Sequence, residues 1–152
     1  MRNIILLILT LFLFYGCEDN LVGLGLGDCP DCCYDDTMIM SAPDLELDDN
    51  GYYHLDFIEG SIQTFTTLNV EIAYPLYEVG FYTEEEYIIY HYGEEHSVSL
   101  VNQHSYSDVD RIAHTVFGVW EEFVGDTIRV NSVWWDDCLN GYYDYIEIII
   151  DE

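Results

Sequence analysis

The sequence predicts an all-β domain, an antiparallel β-sandwich of about 7–9 strands, with a small β-barrel as the alternative. Three observations carry this reading. Apolar and polar residues alternate with a period of two along most of the chain after Thr37. Turn residues interrupt these runs at short intervals, at Asp49-Asn50-Gly51, Glu59-Gly60, Gly93, Ser105–Asp108, Gly125-Asp126 and Asn140-Gly141. No stretch sustains the i, i+3, i+4, i+7 spacing of an amphipathic helix.

The elements follow in chain order. Thr37–Met40 and Leu45–Leu47 are short strand candidates, and Tyr52–Ile58 is a longer one. The clearest run is Ile62 to Ile72. Its even positions, Ile62, Thr64, Thr66, Leu68, Val70 and Ile72, are apolar or β-branched. Its odd positions, Gln63, Phe65, Thr67, Asn69 and Glu71, are mostly polar, as a half-buried strand requires. Glu86–Tyr92, Ser97–Val101 and Ile112–Trp120 come next. Thr127 to Trp135 repeats the alternation, with Ile128, Val130 and Trp134 opposite Thr127, Arg129 and Asn131. Tyr142–Ile150 closes the set. Trp134 and Trp135 are adjacent in one strand, so they point to opposite faces and one of them is expected at a surface.

Composition bounds the function. The chain has 152 residues, 30 Asp+Glu, 3 Arg and no Lys, for a net charge of −27. No basic patch can be assembled from this, which excludes nucleic-acid binding and polybasic attachment to anionic lipid. Half the residues are hydrophobic, and 7 Phe, 3 Trp and 14 Tyr supply enough ring surface for a core, so a folded domain is expected despite the charge.

Residues 1–17, MRNIILLILTLFLFYGC, begin with a short segment carrying Arg2. An apolar run from Ile4 to Tyr15 follows, broken by Thr10. Twelve residues make about 18 Å of helix against a bilayer core of about 30 Å, which suits a signal-peptide h-region better than a span. The run ends in Gly16-Cys17 and resembles the cleavage site of bacterial lipoproteins. That resemblance implies a signal peptide over 1–16 and an acylated Cys17 as the new first residue. A secretory signal cut elsewhere and an uncleaved anchor are the alternatives. Removing Arg2 and no acid takes the net charge from −27 to −28. Glu18-Asp19 resembles the acidic export signal of some surface lipoproteins. Residues 17–36, with alternating Gly23, Gly25 and Gly27, read as a tether, and 37–152 as a single domain attached at its amino end only.

Within that domain, Ser107 to Val130 resembles the last half of a bacterial immunoglobulin-like domain: a polar turn, a strand with alternating Ala and Thr, a Gly-Asp turn and a final Thr-Ile-x-Val strand. Arg111 stands where that family usually has Gly. The resemblance implies an immunoglobulin-like sandwich with adhesive, spacing or stalk roles.

With Cys17 acylated, four cysteines remain, and an exported protein meets an oxidising compartment. Cys138 with Cys33 is the favoured bridge, leaving Cys29 and Cys32 to close a small ring. A four-Cys zinc site is the alternative, weakened by the Cys32-Cys33 adjacency. Two acidic segments echo each other, Asp48-Asp49-Asn50-Gly51 and Asp136-Asp137-Cys138-Leu139-Asn140-Gly141. The first comes near a calcium loop but has Phe57 where the closing Glu belongs, and both read more simply as hairpin turns. His91 and His96 flank Gly93-Glu94-Glu95 and could face each other across a hairpin, with no evident third ligand. His104, Ser105, Ser107 and Asp108 are too close in sequence for triad geometry.

No catalytic residues, cofactor or metal ligands are therefore assigned, and the chain is not expected to be an enzyme. Trp134, Trp135, Asp136 and Asp137 are the ligand-contact candidates. The expectation is an exported, lipid-anchored envelope protein, at the outer membrane and facing either the periplasm or the surface, that acts as a binding or structural module. Its partners would be the membrane through lipid and an envelope protein or glycan, with no nucleic acid. The alternative is a calcium- or carbohydrate-binding surface lipoprotein using the acidic turns or exposed rings.

Overall fold

A computed structural model describes residues 37–137 and 140–152. The predicted signal, the tether, Cys17, Cys29, Cys32, Cys33 and Cys138 lie outside the described residues. The domain is all-β. Eleven strands form three open sheets, and one 3-10 turn, Glu121–Phe123, is the single helical element among the described residues. No helix there is long and apolar enough to cross a membrane.

The first sheet contains β1 (Ile39–Ser41), β4 (Gln63–Glu71) and β9 (Ile112–Trp120) in the order β1-β4-β9. The second contains β2 (Glu46–Leu47), β3 (Tyr52–Asp56), β5 (Glu78–Thr83), β8 (His104–Tyr106), β10 (Thr127–Trp135) and β11 (Gly141–Asp151). Its order is β2-β3-β11-β10-β5-β8. The third is the hairpin of β6 (Tyr87–His91) and β7 (Glu94–Val98).

Burial follows the alternation that the sequence predicts. Thr64, Thr66, Leu68 and Val70 of β4 point inward, as do Ile128, Val130 and Trp134 of β10 and Ile146, Ile148 and Ile150 of β11. These faces meet in one buried cluster, to which both larger sheets contribute. Ile62 falls outside β4 and is exposed.

The two larger sheets also touch at their margins. Isolated bridges join Val101 to Phe117 and Ser107 to Ala113, so the β8 margin of one sheet meets β9 of the other. At the opposite margin the Met40 amide donates to Asp144 Oδ2 at 2.7 Å, linking β1 to the first half of β11.

The topology corrects the sequence reading in four places. There are eleven strands where 7–9 were expected. The sheet is not wholly antiparallel, because β3 runs parallel to β11, with Tyr52 opposite Glu147 and Asp56 opposite Asp151. The second strand of the small hairpin is Glu94–Val98, not Ser97–Val101, because Tyr92-Gly93 makes a two-residue turn with both φ angles positive. Finally, Ser105–Asp108 is only partly a turn, since His104–Tyr106 pairs with β5.

Candidate functional site

The outer face of the six-stranded sheet carries the densest set of exposed rings. On β10, the residues alternating with the buried set are Arg129, Asn131, Val133 and Trp135. On β11 they are Tyr143, Tyr145 and Glu147. Register places Tyr145 opposite Asn131, Tyr143 opposite Val133, and Gly141 opposite Trp135. On the other flank, Tyr82 lies opposite Asn131 and Gly80 opposite Val133, and Tyr106 of β8 lies opposite Glu78. Trp135 is 52% exposed, and Tyr143, Tyr145, Tyr82 and Tyr106 are exposed as well. One face thus presents five large rings.

Local packing arranges two of them. A Cβ on Gly141 would lie 3.0 Å from the Tyr143 hydroxyl and 3.1 Å from the Trp135 ring, so both side chains converge over that glycine. Their centroids are 6.2 Å apart, edge to face. Arg129 lies 4.3 Å from the centre of the Tyr145 ring and bonds Glu147 Oε1 at 2.8 Å. The cation is held by a ring and a carboxylate, which raises its pKa, chiefly through the bond to Glu147.

The four contact candidates divide. Trp134 is wholly buried, stacked on Tyr142 at 4.9 Å and flanked by Tyr74 and Tyr77 at 6.0 Å, and so offers a ligand no surface. Trp135 is on the open face. Asp136 and Asp137 serve the fold. Asp136 Oδ1 accepts the Asn140 amide at 2.8 Å and its Oδ2 accepts the Tyr142 hydroxyl at 3.1 Å. Asp137 accepts the Tyr77 hydroxyl at 2.7 Å, and this bond, with some burial, pushes the Tyr77 phenol up to about 12.

The acidic turns share one construction. Asp48 Oδ1 accepts the amides of Asn50 and Tyr52, and Asp108 Oδ1 accepts those of Asp110 and Ile112. In both turns the residue three places on has positive φ, +91° at Gly51 and +70° at Arg111. In both, the residue six places on is a histidine: His54 Nε2 is 3.7 Å from Asp48, and His114 Nε2 is 3.6 Å from Asp108. Asp136 bonds its i+4 amide and its i+6 phenol in the same way. The echo between acidic segments is therefore an Asp-capped turn. The bonds to the amides of Tyr52 and Ile112 hold the Asp48 and Asp108 carboxyls below the usual range. Sequence reading missed the Asp-x5-His spacing, although it stands in the sequence twice.

The remaining candidates are dispersed. His91 pairs with Glu94 and His96 with Ile89, so the two imidazoles sit diagonally, 6.3 Å apart. Ser107 is buried, donating to the Tyr74 carbonyl and accepting the Tyr77 amide, while His104 pairs with Glu78 at 3.0 Å. No group of three His, Cys, Asp or Glu among the described residues is placed to hold a metal. A separate cleft of about 630 Å³ opens beside β2, β3 and β4, with Asp44, Glu46, His54, Asp56 and Thr66 on its walls. His54 there is bonded through Nδ1 to Asp151 at 2.7 Å. Compared with known protein families and with curated proteins, the chain matches none.

Proposed function

We propose that this chain is a lipid-anchored, non-enzymatic binding module of the cell envelope. Its contact surface is the outer face of the six-stranded sheet. The carrying observation is the gathering of Trp135, Tyr143, Tyr145, Tyr82 and Tyr106, all exposed, on that one face. Large rings with polar tips are the side chains that contribute most contact energy at recognition surfaces. On this reading the pair of larger sheets is an immunoglobulin-like sandwich, acyl chains on Cys17 hold it, and residues 17–36 give it reach. A Cys33–Cys138 bridge would pin the tether to the turn before β11. A domain with two described cations, each facing a glutamate, is repelled by anionic lipid, so attachment through an acyl chain fits its charge.

The acidic turns support the calcium reading less, because Asp48, Asp108 and Asp136 already accept hydrogen bonds from their own turns.

Two measurements test the proposal. A Cys17→Ala change should shift mass and membrane partition, and unchanged behaviour overturns the anchor. Envelope fragments captured on the immobilised chain should fall by more than about tenfold with Trp135→Ala. Equal capture overturns the surface.

A further inference from the structure

We infer that the ligand of this aromatic face is a neutral glycan, and that Asn131 is the residue that reads its hydroxyls. The inference rests on the reading of that face as a binding surface and names the class of ligand it takes.

Asn131 is the unexpected residue on the face. Alternation along β10 turns it outward, between the inward Val130 and Ser132, yet it is only 9% exposed. Its cross-strand neighbours are Tyr145 on one side and Tyr82 on the other. Its side-chain amide nitrogen is buried and has no hydrogen-bond partner among the described residues. An amide donor in that state destabilises a fold, and nearly all buried amides are paired. Two other buried atoms lack partners there, Thr66 Oγ1 and Trp134 Nε1, but both side chains belong to inward faces. Asn131 alone of the three is on the aromatic face. The nitrogen is closed off from water as the chain stands, so a ligand brings the acceptor it lacks by parting the exposed Tyr82 and Tyr145 rings.

The surrounding chemistry narrows that ligand. Rings with hydroxyl tips offer flat apolar surface for the C–H faces of a sugar and hydrogen bonds for its hydroxyls. Tyr143 and Tyr145 are two residues apart on one face of β11, about 7 Å along the strand. With Trp135 beside Tyr143, the rings form a track that suits an extended chain. The charge excludes acidic polymers. The net charge is −27, the face carries Glu78 and Glu147, and its one arginine is engaged by Glu147 and Tyr145. A hydroxyl-rich, uncharged polymer meets each of these conditions.

The test uses the full-length chain in detergent and soluble oligosaccharides of the gluco, manno, galacto and xylo series, with binding followed by calorimetry. At least one neutral series should bind. Trp135→Ala should weaken it by more than about tenfold and Asn131→Ala by about tenfold, the worth of one hydrogen bond. Because Asn131→Ala removes an unpaired buried donor, its melting temperature without ligand should stay level or rise, which separates lost recognition from lost folding. The inference is overturned if no neutral series binds, if binding is indifferent to Asn131→Ala, or if only a basic protein binds. Should Trp135-dependent capture of envelope fragments persist while every neutral series fails, the glycan assignment falls and the binding face stands. Should capture be indifferent to Trp135, both fall.

Discussion

At the scale of single residues, the two Asp-capped turns differ at one backbone position. Gly51 takes its φ of +91° without strain, whereas Arg111 takes +70° with a side chain that L-residues rarely hold there. Its partner, Glu71, lies 3.6 Å away at the surface, and such pairs contribute little. Arg111→Gly should therefore raise stability, by about 0.5–1 kcal/mol after the entropy of the added glycine is counted. Urea midpoints of the two chains check this, and a lower midpoint for the variant would show that the ion pair outweighs the strain. The arginine itself is visible in the sequence. Its backbone angle is visible only once the Asp108 cap is seen closing the turn.

At the scale of strands, alternation decides which of two neighbouring tryptophans the fold depends on. Trp134 is enclosed by Tyr74, Tyr77 and Tyr142, while Trp135 stands over Gly141 in solvent. Trp134→Ala should cost about 3–5 kcal/mol, and Trp135→Ala should stay within about 0.5 kcal/mol. Thermal melts of both variants measure the contrast, and similar losses would contradict the assigned faces. The strand glycines follow one rule as well. Gly118, Gly141 and Gly80 each face a larger cross-strand residue that leans over them, Phe65, Trp135 and Val133. In the sequence, the bounds of β9 and β10 are legible to the residue, although burial at Gly118 in the one and at Asn131 in the other interrupts the alternation. β5 and β8 are not. Gly80 interrupts the first, and His-Ser-Tyr carries no apolar face, so each is a strand through its neighbours, β5 between β10 and β8, and β8 against β5.

At the scale of the domain, side chains join strands that are remote in sequence. Asp144 receives the Met40 amide across the β1 margin. His54, on β3, bonds Asp151 near the end of β11 and faces Asp48 in the β2–β3 turn. The bond to Asp151 is the main cause that raises the His54 pKa above its ordinary 6.5. A group with a raised folded pKa stabilises fully below its unfolded value, and that contribution is lost as pH rises through the folded one. Stability of the native chain should therefore fall as pH rises from about 6 to above the His54 pKa. His54→Gln should flatten that slope, as read by urea midpoints across the range, and an unchanged slope would remove His54 as its source. Asp48 and Asp108 act in the opposite range. Their carboxyls are held low, so their contribution is present above the ordinary carboxylate pKa and fades as the solution is acidified past it.

By itself the sequence determined the all-β class, the inward sets of β4 and β10, the bounds of β9, and the net charge. These depend on period, composition and turn chemistry, which are local properties of a chain. Tertiary structure alone decided the parallel pairing of β3 with β11, the existence of β5 and β8, and the gathering of five rings on one face. It also decided the placing of an unpaired Asn131 amide among them. Each of these depends on which distant strands become neighbours, and strand pairing is chosen by the burial of the whole core, which no single segment encodes.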